Sequence, residues 1–429
     1  MKWDKIIDRR EMLRLISRYT PVLLGSGYVL DRTILSPTEV FATNRIPVYM
    51  AKNGSPLQNV AKVIEMRFGG IENFIGFDDV VVINPNGQWG NQGGSNCACC
   101  MALIDLILAR PGGFDGEIIF TENTQFRSNG YWTAVGVELE RNGPYNFNDM
   151  IAYYQGKGYG NVNGIRIWRN QDEPDQWPVV TGPQQGQGWV RPIWYSPTTS
   201  LAYQLAYPII RSPYSNRLID LKNGVYDNGY SGQPALKFIK VPTLNNHGYG
   251  GGQDYAGITS AVKSHLGISD IGYYGNYLNL HSYDVSGSNG AFGVGEAIGG
   301  WMTCCRKPDI YLTTAEWVGW ESRQGQATRA RTVGLADDPV TLDYYMAKYV
   351  MWPCLPDQQY FNPDFDIAKN MTRQTLEGCH SIGFGALSEA EIIPYVYDFD
   401  EPPRVFPFDV FRRLIRYKKG LIEPEDMIR

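Results

Sequence analysis

The sequence is poor in histidine, in long apolar runs and in excess charge of either sign. It has four histidines in 429 residues, 19% charged residues and a formal net charge of −5. No run of Lys or Arg marks a nucleic-acid-binding surface, so no nucleic-acid partner is expected. No stretch of about 18 uninterrupted apolar residues occurs, and we therefore expect no transmembrane helix. The 43% hydrophobic content is ordinary for a globular protein with a large core.

Cysteine is also sparse, and the seven residues make an odd count. A disulfide scaffold is typically far shorter and richer in cysteine, so a disulfide framework is not expected. Cys97, Cys99 and Cys100 open a predicted helix directly after a loop. Thiols at a helix N-terminus have a lowered pKa and bind metals better, which makes these three candidate metal ligands. The alternative is that they are small buried hydrophobic residues.

Apolar runs alternate with helical patterns from about residue 55 to 395. Strands are predicted at 79–83, 117–120, 164–168, 235–241, 309–313 and 330–335. Helices are predicted at 61–68, 97–108, 148–155, 255–265, 294–305 and 339–350. This succession predicts an α/β fold with a mostly parallel sheet and helices on both faces. Asp338 is the predicted N-cap of the last of these helices.

The segment 171–232 interrupts the alternation and is rich in aromatic residues, Gly and Pro. We predict an irregular or antiparallel insertion that covers either the sheet edge or the site. The α/β domain then spans 45–400, and a C-terminal amphipathic helix with a basic face lies within 401–429.

Residues 1–44 have two interpretations. Arg9-Arg10 with the following residues resembles a twin-arginine export motif, which predicts export to the periplasm or cell surface. A basic amphipathic helix packed on the domain is the alternative, and it predicts a cytoplasmic protein.

Polar residues follow several of the predicted strands. Asn84 and Asn86 follow the first strand, Glu122 follows the second, and Asp338 follows the last. In an open α/β sheet, ligands bind at the carboxyl ends of the strands. We therefore expect these side chains to converge on one edge and bind a small molecule.

A glycine-rich loop follows His247 and contains Gly250 and Gly251. Backbone amides in such a loop can approach an anionic ligand closely, although a tight turn is the alternative. Lys263 lies on the predicted helix beyond the loop, and His281 follows. Three of the four histidines lie between 247 and 281, and this clustering favours a site over a helix cap.

Four motifs occur in an order that resembles the domain-of-unknown-function family 362. They are Asn84-Pro85-Asn86, the stretch 247–263, Lys307-Pro308-Asp309, and Asp338-Pro339 with Asp343. The family consists of α/β proteins often described as iron–sulfur or cofactor-associated. The resemblance implies that His247, Lys263 and His281 are catalytic and that Asp338 and Asp343 bind the ligand. It also implies a metal ion or an iron–sulfur cluster as cofactor.

The chain departs from the family in two respects. The family usually has lysine at the positions of Asn84 and Asn245, so anion binding is expected to be weaker. The chain also lacks the complete ferredoxin-type cysteine run.

Three functions follow as hypotheses, and the sequence leaves open whether the protein is an enzyme. The first is a metal- or cluster-associated enzyme for redox or proton-transfer chemistry on a small ligand. The second is an exported, non-catalytic protein that binds a sugar or another organic ligand through Trp189, Trp194 and Tyr195 of the insertion. A third hypothesis is a subunit that binds a partner through the basic C-terminal helix.

Overall fold

A ten-stranded mixed sheet with helices on both faces forms the centre of the structure. The structure is a computed structural model that describes residues 45–126, 130–167, 177–248, 257–271, 277–280 and 290–401. The predicted α/β fold with a mostly parallel sheet is confirmed. Residues 1–44, most of the predicted C-terminal helix, and Gly250, Gly251 and His281 lie outside the described residues.

The bounds of the elements are as follows. The strands are β1 (Ile46–Lys52), β2 (Val80–Pro85), β3 (Glu117–Glu122), β4 (Val162–Arg166), β5 (Gly188–Val190), β6 (Ile193–Tyr195), β7 (Ala202–Gln204), β8 (Tyr207–Arg211), β9 (Leu218–Asp220), β10 (Gly224–Tyr226), β11 (Leu236–Val241), β12 (Thr243–Asn246), β13 (Ile258–Thr259), β14 (Ile310–Gly319), β15 (Thr328–Ala336) and β16 (Ile392–Asp398). The α-helices are α1 (Pro56–Phe68), α2 (Cys97–Leu108), α3 (Phe147–Gly156), α4 (Gly290–Cys304), α5 (Pro339–Met346) and α6 (Met371–His380).

The strand order across the sheet is β16-β1-β15-β14-β11-β2-β3-β4, and β12 pairs with both β14 and β13. The five neighbouring strands from β14 to β4 run parallel. Strand β15 is antiparallel to both of its neighbours, β14 and β1. Its carboxyl end therefore lies at the opposite edge from those of the parallel strands, and Ala336 pairs with Tyr311 at the start of β14.

Alternate residues of β2 pack into two separate hydrophobic cores, one on each face of the sheet. Val80 and Val82 pack into one core with residues of α4 and α5, while Val81 and Ile83 pack into the other with residues of α1, α2 and α3. A strand buried on both faces needs apolar residues at every position, which is the pattern that identified β2 in the sequence. The predicted covering of both faces is confirmed.

Local signals explain where the helices begin and end. Ser55 and Gln58 form a capping box at the start of α1, and Gly69 ends it at a φ of 80°. Asn96 caps α2, whose bounds agree with the predicted 97–108. Asp338 accepts a hydrogen bond from the Thr341 amide at the start of α5, which confirms the predicted cap.

The predicted helix over 255–265 is wrong in its described part. Ile258–Thr259 is a short strand that pairs with Asn245 and Asn246, and Lys263–Gly267 forms a 3₁₀ turn. A β-branched pair directly after Gly257 (φ 74°) favours extended backbone over a helix. Strands β1 and β16 and helix α6 were not predicted.

The insertion contains a four-stranded antiparallel sheet, β10-β9-β8-β5, and the two-stranded pair β6-β7. Buried carboxylates anchor it. Glu296 on α4 accepts hydrogen bonds from the Ser196 and Thr199 hydroxyls, and Glu117 accepts them from Ser212 and Ser215. Because Glu117 begins β3, this second anchor lies at the amino edge of the sheet. Among the described residues, no helix is long and apolar enough to cross a membrane.

Candidate functional site

A pocket lies where the loops after β2, β3 and β14 meet beside β13. Its empty volume is about 270 Å³, which includes the open mouth. The residues that line it are Asn86, Gln88, Trp89, Gly93, Gln125, Thr259, Lys263 and Arg323. Two of them, Asn86 and Lys263, were predicted as site residues. The pocket lies at the carboxyl edge of the parallel strands, as expected for an α/β sheet.

Two cationic side chains line the pocket, and both are nearly buried. Lys263 is 6% exposed and Arg323 is 8% exposed. Lys263 begins the 3₁₀ turn, and its Nζ atom donates to the Thr259 hydroxyl at 3.3 Å. Arg323 lies in the loop after β14, and its guanidinium stacks 4.8 Å from the centre of the Trp89 ring. Burying two cations at one pocket is costly unless anionic or polar groups stabilise them.

His247 contacts the pocket through Arg323. Nη1 of Arg323 lies 2.5 Å from Nε2 of His247. A guanidinium can only donate, so Nε2 accepts and the imidazole is neutral with its hydrogen on Nδ1. The described geometry gives His247 the role of orienting Arg323.

Asp343 supports the turn that carries Lys263. Its carboxylate accepts hydrogen bonds from the amides of Ala261 at 2.7 Å and Val262 at 2.8 Å. Burial raises the pKa of Asp343 to about 7. The predicted site residues His247, Lys263 and Asp343 are thus brought together, but the oxygens of Asp343 bind backbone amides and Asp343 does not line the pocket.

Asp338 does not belong to the same edge of the sheet. It follows β15, which is antiparallel to β14, so its cap at the start of α5 lies at the amino edge of the parallel strands. The expectation that Asp338 converges with Asn84 and Glu122 is wrong. The direction of β15 decides this, because reversing a strand exchanges the edges at which its ends lie.

Asn84 is buried behind the pocket and binds a lysine that the sequence reasoning missed. Its Oδ1 atom accepts a hydrogen bond from Nζ of Lys240, and its Nδ2 atom donates to the Thr121 carbonyl at 2.6 Å. Lys240 lies opposite Asn84 on the neighbouring strand β11 and is completely buried. A lysine near the end of a mostly apolar strand was the available signal, because lysine is almost never fully buried without a partner.

Glu122 is also buried behind the pocket. Its Oε2 atom accepts a hydrogen bond from the Thr124 amide at 2.5 Å. Burial raises the pKa of Glu122 to about 8, although hydrogen bonds from Thr124 and Gly87 and the nearby Lys240 oppose this rise. At pH 7 the carboxyl group is therefore mainly protonated.

Arg323 was not predicted as a site residue because the predicted strand before it was too short. Strand β14 was predicted at 309–313 and extends to Gly319. The loop that carries Arg323 was therefore not recognised as one that follows the carboxyl end of a strand. Gln88, Trp89 and Gln125 lie on loops that were predicted to form the site, although these residues themselves were not singled out.

The three candidate metal ligands are core residues. Cys97, Cys99 and Cys100 are fully buried in the hydrophobic core on one face of the sheet. The expected lowering of their pKa is wrong, because burial raises the pKa of Cys97 to about 12 and raises the pKa of each of the other two thiols well above its usual value. Within the described ranges, no group of three or more His, Cys, Asp or Glu side chains is arranged to hold a metal ion.

Burial predicts unequal reactivity among the thiols. We expect iodoacetamide at pH 7.5 to leave Cys97, Cys99 and Cys100 unmodified in the native protein, because thiolates are the reactive form. Cys304 is half-buried, and a hydrogen bond from Cys305 lowers its pKa to about 7, so it should react first. Peptide mass spectrometry before and after unfolding measures the order. Rapid native labelling of Cys97 would contradict the burial.

No protein-family model matches the chain, and a search of the curated proteins finds no match.

Proposed function

We propose that the pocket binds a small organic anion and that the protein catalyses proton transfer on it. The observation that carries this proposal is the pairing of Lys263 and Arg323 in one nearly buried pocket. Carboxylates and phosphates are the groups that such cations bind best, through charge-assisted hydrogen bonds.

The other lining groups favour the same ligand. The side-chain oxygen of Asn86 accepts a hydrogen bond from the Thr243 amide at 3.1 Å, which leaves its NH₂ group as the donor to a ligand. Gln125 supplies a second amide. The pocket is narrow, because its empty volume of about 270 Å³ includes the open solvent at its mouth. A small acid such as oxalate suits so narrow a pocket better than a nucleotide does.

Each cation has a distinct role in this proposal. Arg323 binds the anionic group, and its contacts with Trp89 and His247 hold the guanidinium plane in place. Lys263 donates or accepts the proton, since an amine that lines the pocket can act as a general acid or base toward the bound ligand. His247 acts on the reaction through Arg323.

The other hypotheses have less support from the described residues. Trp189 is buried in the core and Trp194 packs against Tyr203, so these rings are poorly placed to hold a sugar. An iron–sulfur or metal cofactor stays a prediction, as does membership of family 362, which rests on the order of its motifs. Export also stays a prediction.

Calorimetric titration with oxalate, malonate and pyruvate tests the binding. We expect at least one of these acids to bind, and Lys263→Met or Arg323→Met to weaken that binding about tenfold to a hundredfold, the value of a charge-assisted hydrogen bond. Lys157→Met removes an exposed lysine and should leave the affinity unchanged. Equal affinity in Lys263→Met and the wild type would refute the proposed site.

Proton transfer is tested separately from binding. Exchange of the methyl hydrogens of pyruvate in D₂O, followed by NMR, should be accelerated by the wild type and not by Lys263→Met. Binding without exchange in any of the acids would identify a binding protein instead of an enzyme.

A further inference from the structure

We infer that Lys240 and Glu122, which do not line the pocket, are positioning residues that fix the backbone of the segments lining it. This inference rests on the proposed function. Together the two side chains bind the backbone next to three lining residues, Lys263, Gln88 and Gln125.

Lys240 holds the turn that carries Lys263. Its Nζ atom donates to the carbonyl oxygen of Ser264 at 2.7 Å and to Oδ1 of Asn84. Ser264 directly follows Lys263, so the hydrogen bond fixes the backbone at the first residues of the turn. Strand β11 lies in the middle of the sheet, between β14 and β2, and provides a rigid base for this contact.

Glu122 holds the two loops on the other side of the pocket. Its carboxyl group accepts hydrogen bonds from the amides of Thr124 and Gly87, the residues that precede Gln125 and Gln88. The approach is close, because a Cβ atom on Gly87 would lie 2.8 Å from Oε2 of Glu122. A side chain at this position would displace the Glu122 carboxyl group from the loop after β2.

Hydrogen bonds from Asn123 attach the same turn to β3. Its Nδ2 atom donates to the carbonyl oxygens of Leu266 at 2.7 Å and Ser269 at 2.5 Å. Asn84 on β2 also donates to the carbonyl oxygen of Gly267 at 3.3 Å, so buried polar side chains attach the turn to β2, β3 and β11. Such satisfied networks hold a unique geometry, and each unsatisfied member is costly.

Burial favours the uncharged form of both positioning groups. Burial raises the pKa of Glu122 to about 8 and lowers the pKa of Lys240 well below its usual value. The titratable groups that face this pair are each other and His265, whose pKa burial also lowers. Above pH 8 the Glu122 carboxyl group is mainly ionised, and its negative charge repels an anion bound in the pocket.

The first experiment compares Lys240→Met with Lys237→Met on the same strand. Lys237 is partly exposed and stacks on Phe74, away from the network. We expect Lys240→Met to accelerate hydrogen–deuterium exchange in peptides covering 263–269 at least tenfold and to weaken oxalate binding at least tenfold. Lys237→Met should change neither. Unchanged exchange in a folded Lys240→Met protein would overturn the role of Lys240.

The second experiment uses Glu122→Gln, which resembles the protonated carboxyl group and should fold. We expect its oxalate affinity at pH 7 to stay within about threefold of the wild type. Between pH 7 and 9 the wild-type affinity should fall at least fivefold more than that of Glu122→Gln, since oxalate keeps its charge over this range and any titration of Lys263 is common to both proteins. An equal fall in both proteins would overturn the role of Glu122. If oxalate binds neither protein, the proposed ligand class fails, and the exchange experiment alone decides the positioning of the turn.

Discussion

Replacing Asp343 with alanine is expected to lower the free energy of unfolding by about 2 to 6 kcal/mol. The carboxylate accepts the amide hydrogens of Ala261 and Val262 in a fully buried site. Its removal leaves two buried donors without an acceptor, and each costs about 1–3 kcal/mol. Urea denaturation followed by tryptophan fluorescence measures the loss. Asp357→Ala, at an exposed position, should change the stability by no more than about 0.5 kcal/mol.

The same carboxylate makes the stability depend on pH in a defined direction. Burial raises the pKa of Asp343 to about 7 in the folded protein, above its value of about 3.9 in an unfolded chain. The folded state therefore binds a proton that the unfolded state has lost. This contribution is fully present below about pH 4 and is lost as the pH rises through 7.

Asp343→Asn separates the contribution of the hydrogen bonds to stability from that of the titrating carboxyl group. Asparagine keeps one acceptor oxygen and cannot titrate, so we expect a smaller loss of stability than in Asp343→Ala and a flatter dependence on pH between 4 and 7. A wild-type stability that rises steadily from pH 5 to 7 by an amount that Asp343→Asn abolishes would contradict the raised pKa.

Replacing Gly295 with alanine is expected to cost about 3 kcal/mol of stability. Helices α4 and α6 pack so closely that a Cβ atom on Gly295 would lie 1.9 Å from the carbonyl oxygen of Thr375. A backbone carbonyl group cannot rotate away from the new methyl group as a flexible side chain can. The two helices must therefore move apart. Overpacking of this kind typically costs about 1–3 kcal/mol and sometimes more.

Gly378 on α6 makes the reciprocal contact, since its Cβ atom would lie 2.0 Å from the carbonyl oxygen of Phe292. Gly156 at the end of α3 is the matched control, because a Cβ atom there meets nothing within 4 Å. Thermal unfolding should show a large fall in Tm for Gly295→Ala and Gly378→Ala and little change for Gly156→Ala. An unchanged Tm in Gly295→Ala would show that the helices lie farther apart.

Much of the secondary structure was predictable because its causes are local. The apolar run that begins at Val80 identified a strand buried on both faces, and Asn96 and Asp338 marked helix starts through their own side chains. The turn that begins at Lys263 was mistaken for part of a helix. Its conformation depends on hydrogen bonds that Asp343 accepts and that Lys240 and Asn123 donate, and these three residues are distant from the turn in sequence.

The candidate site was predictable in part for the same reason. Asn86 and Lys263 were found from the loops that carry them, whereas Arg323 required the true end of β14. The role of Lys240 depends on its partner Asn84, and the pairing of β11 with β2 that brings them together is not visible in the sequence.

The amino-acid sequence by itself determined the α/β class, most of the parallel strands and the helix starts, because hydrophobic periodicity and capping act over a few residues. The tertiary structure decided the direction of β15, the separation of Asp338 from the pocket and the pairing of Lys263 with Arg323. Strand direction and the neighbours of a side chain depend on contacts between distant segments, and no local pattern encodes which segments will meet.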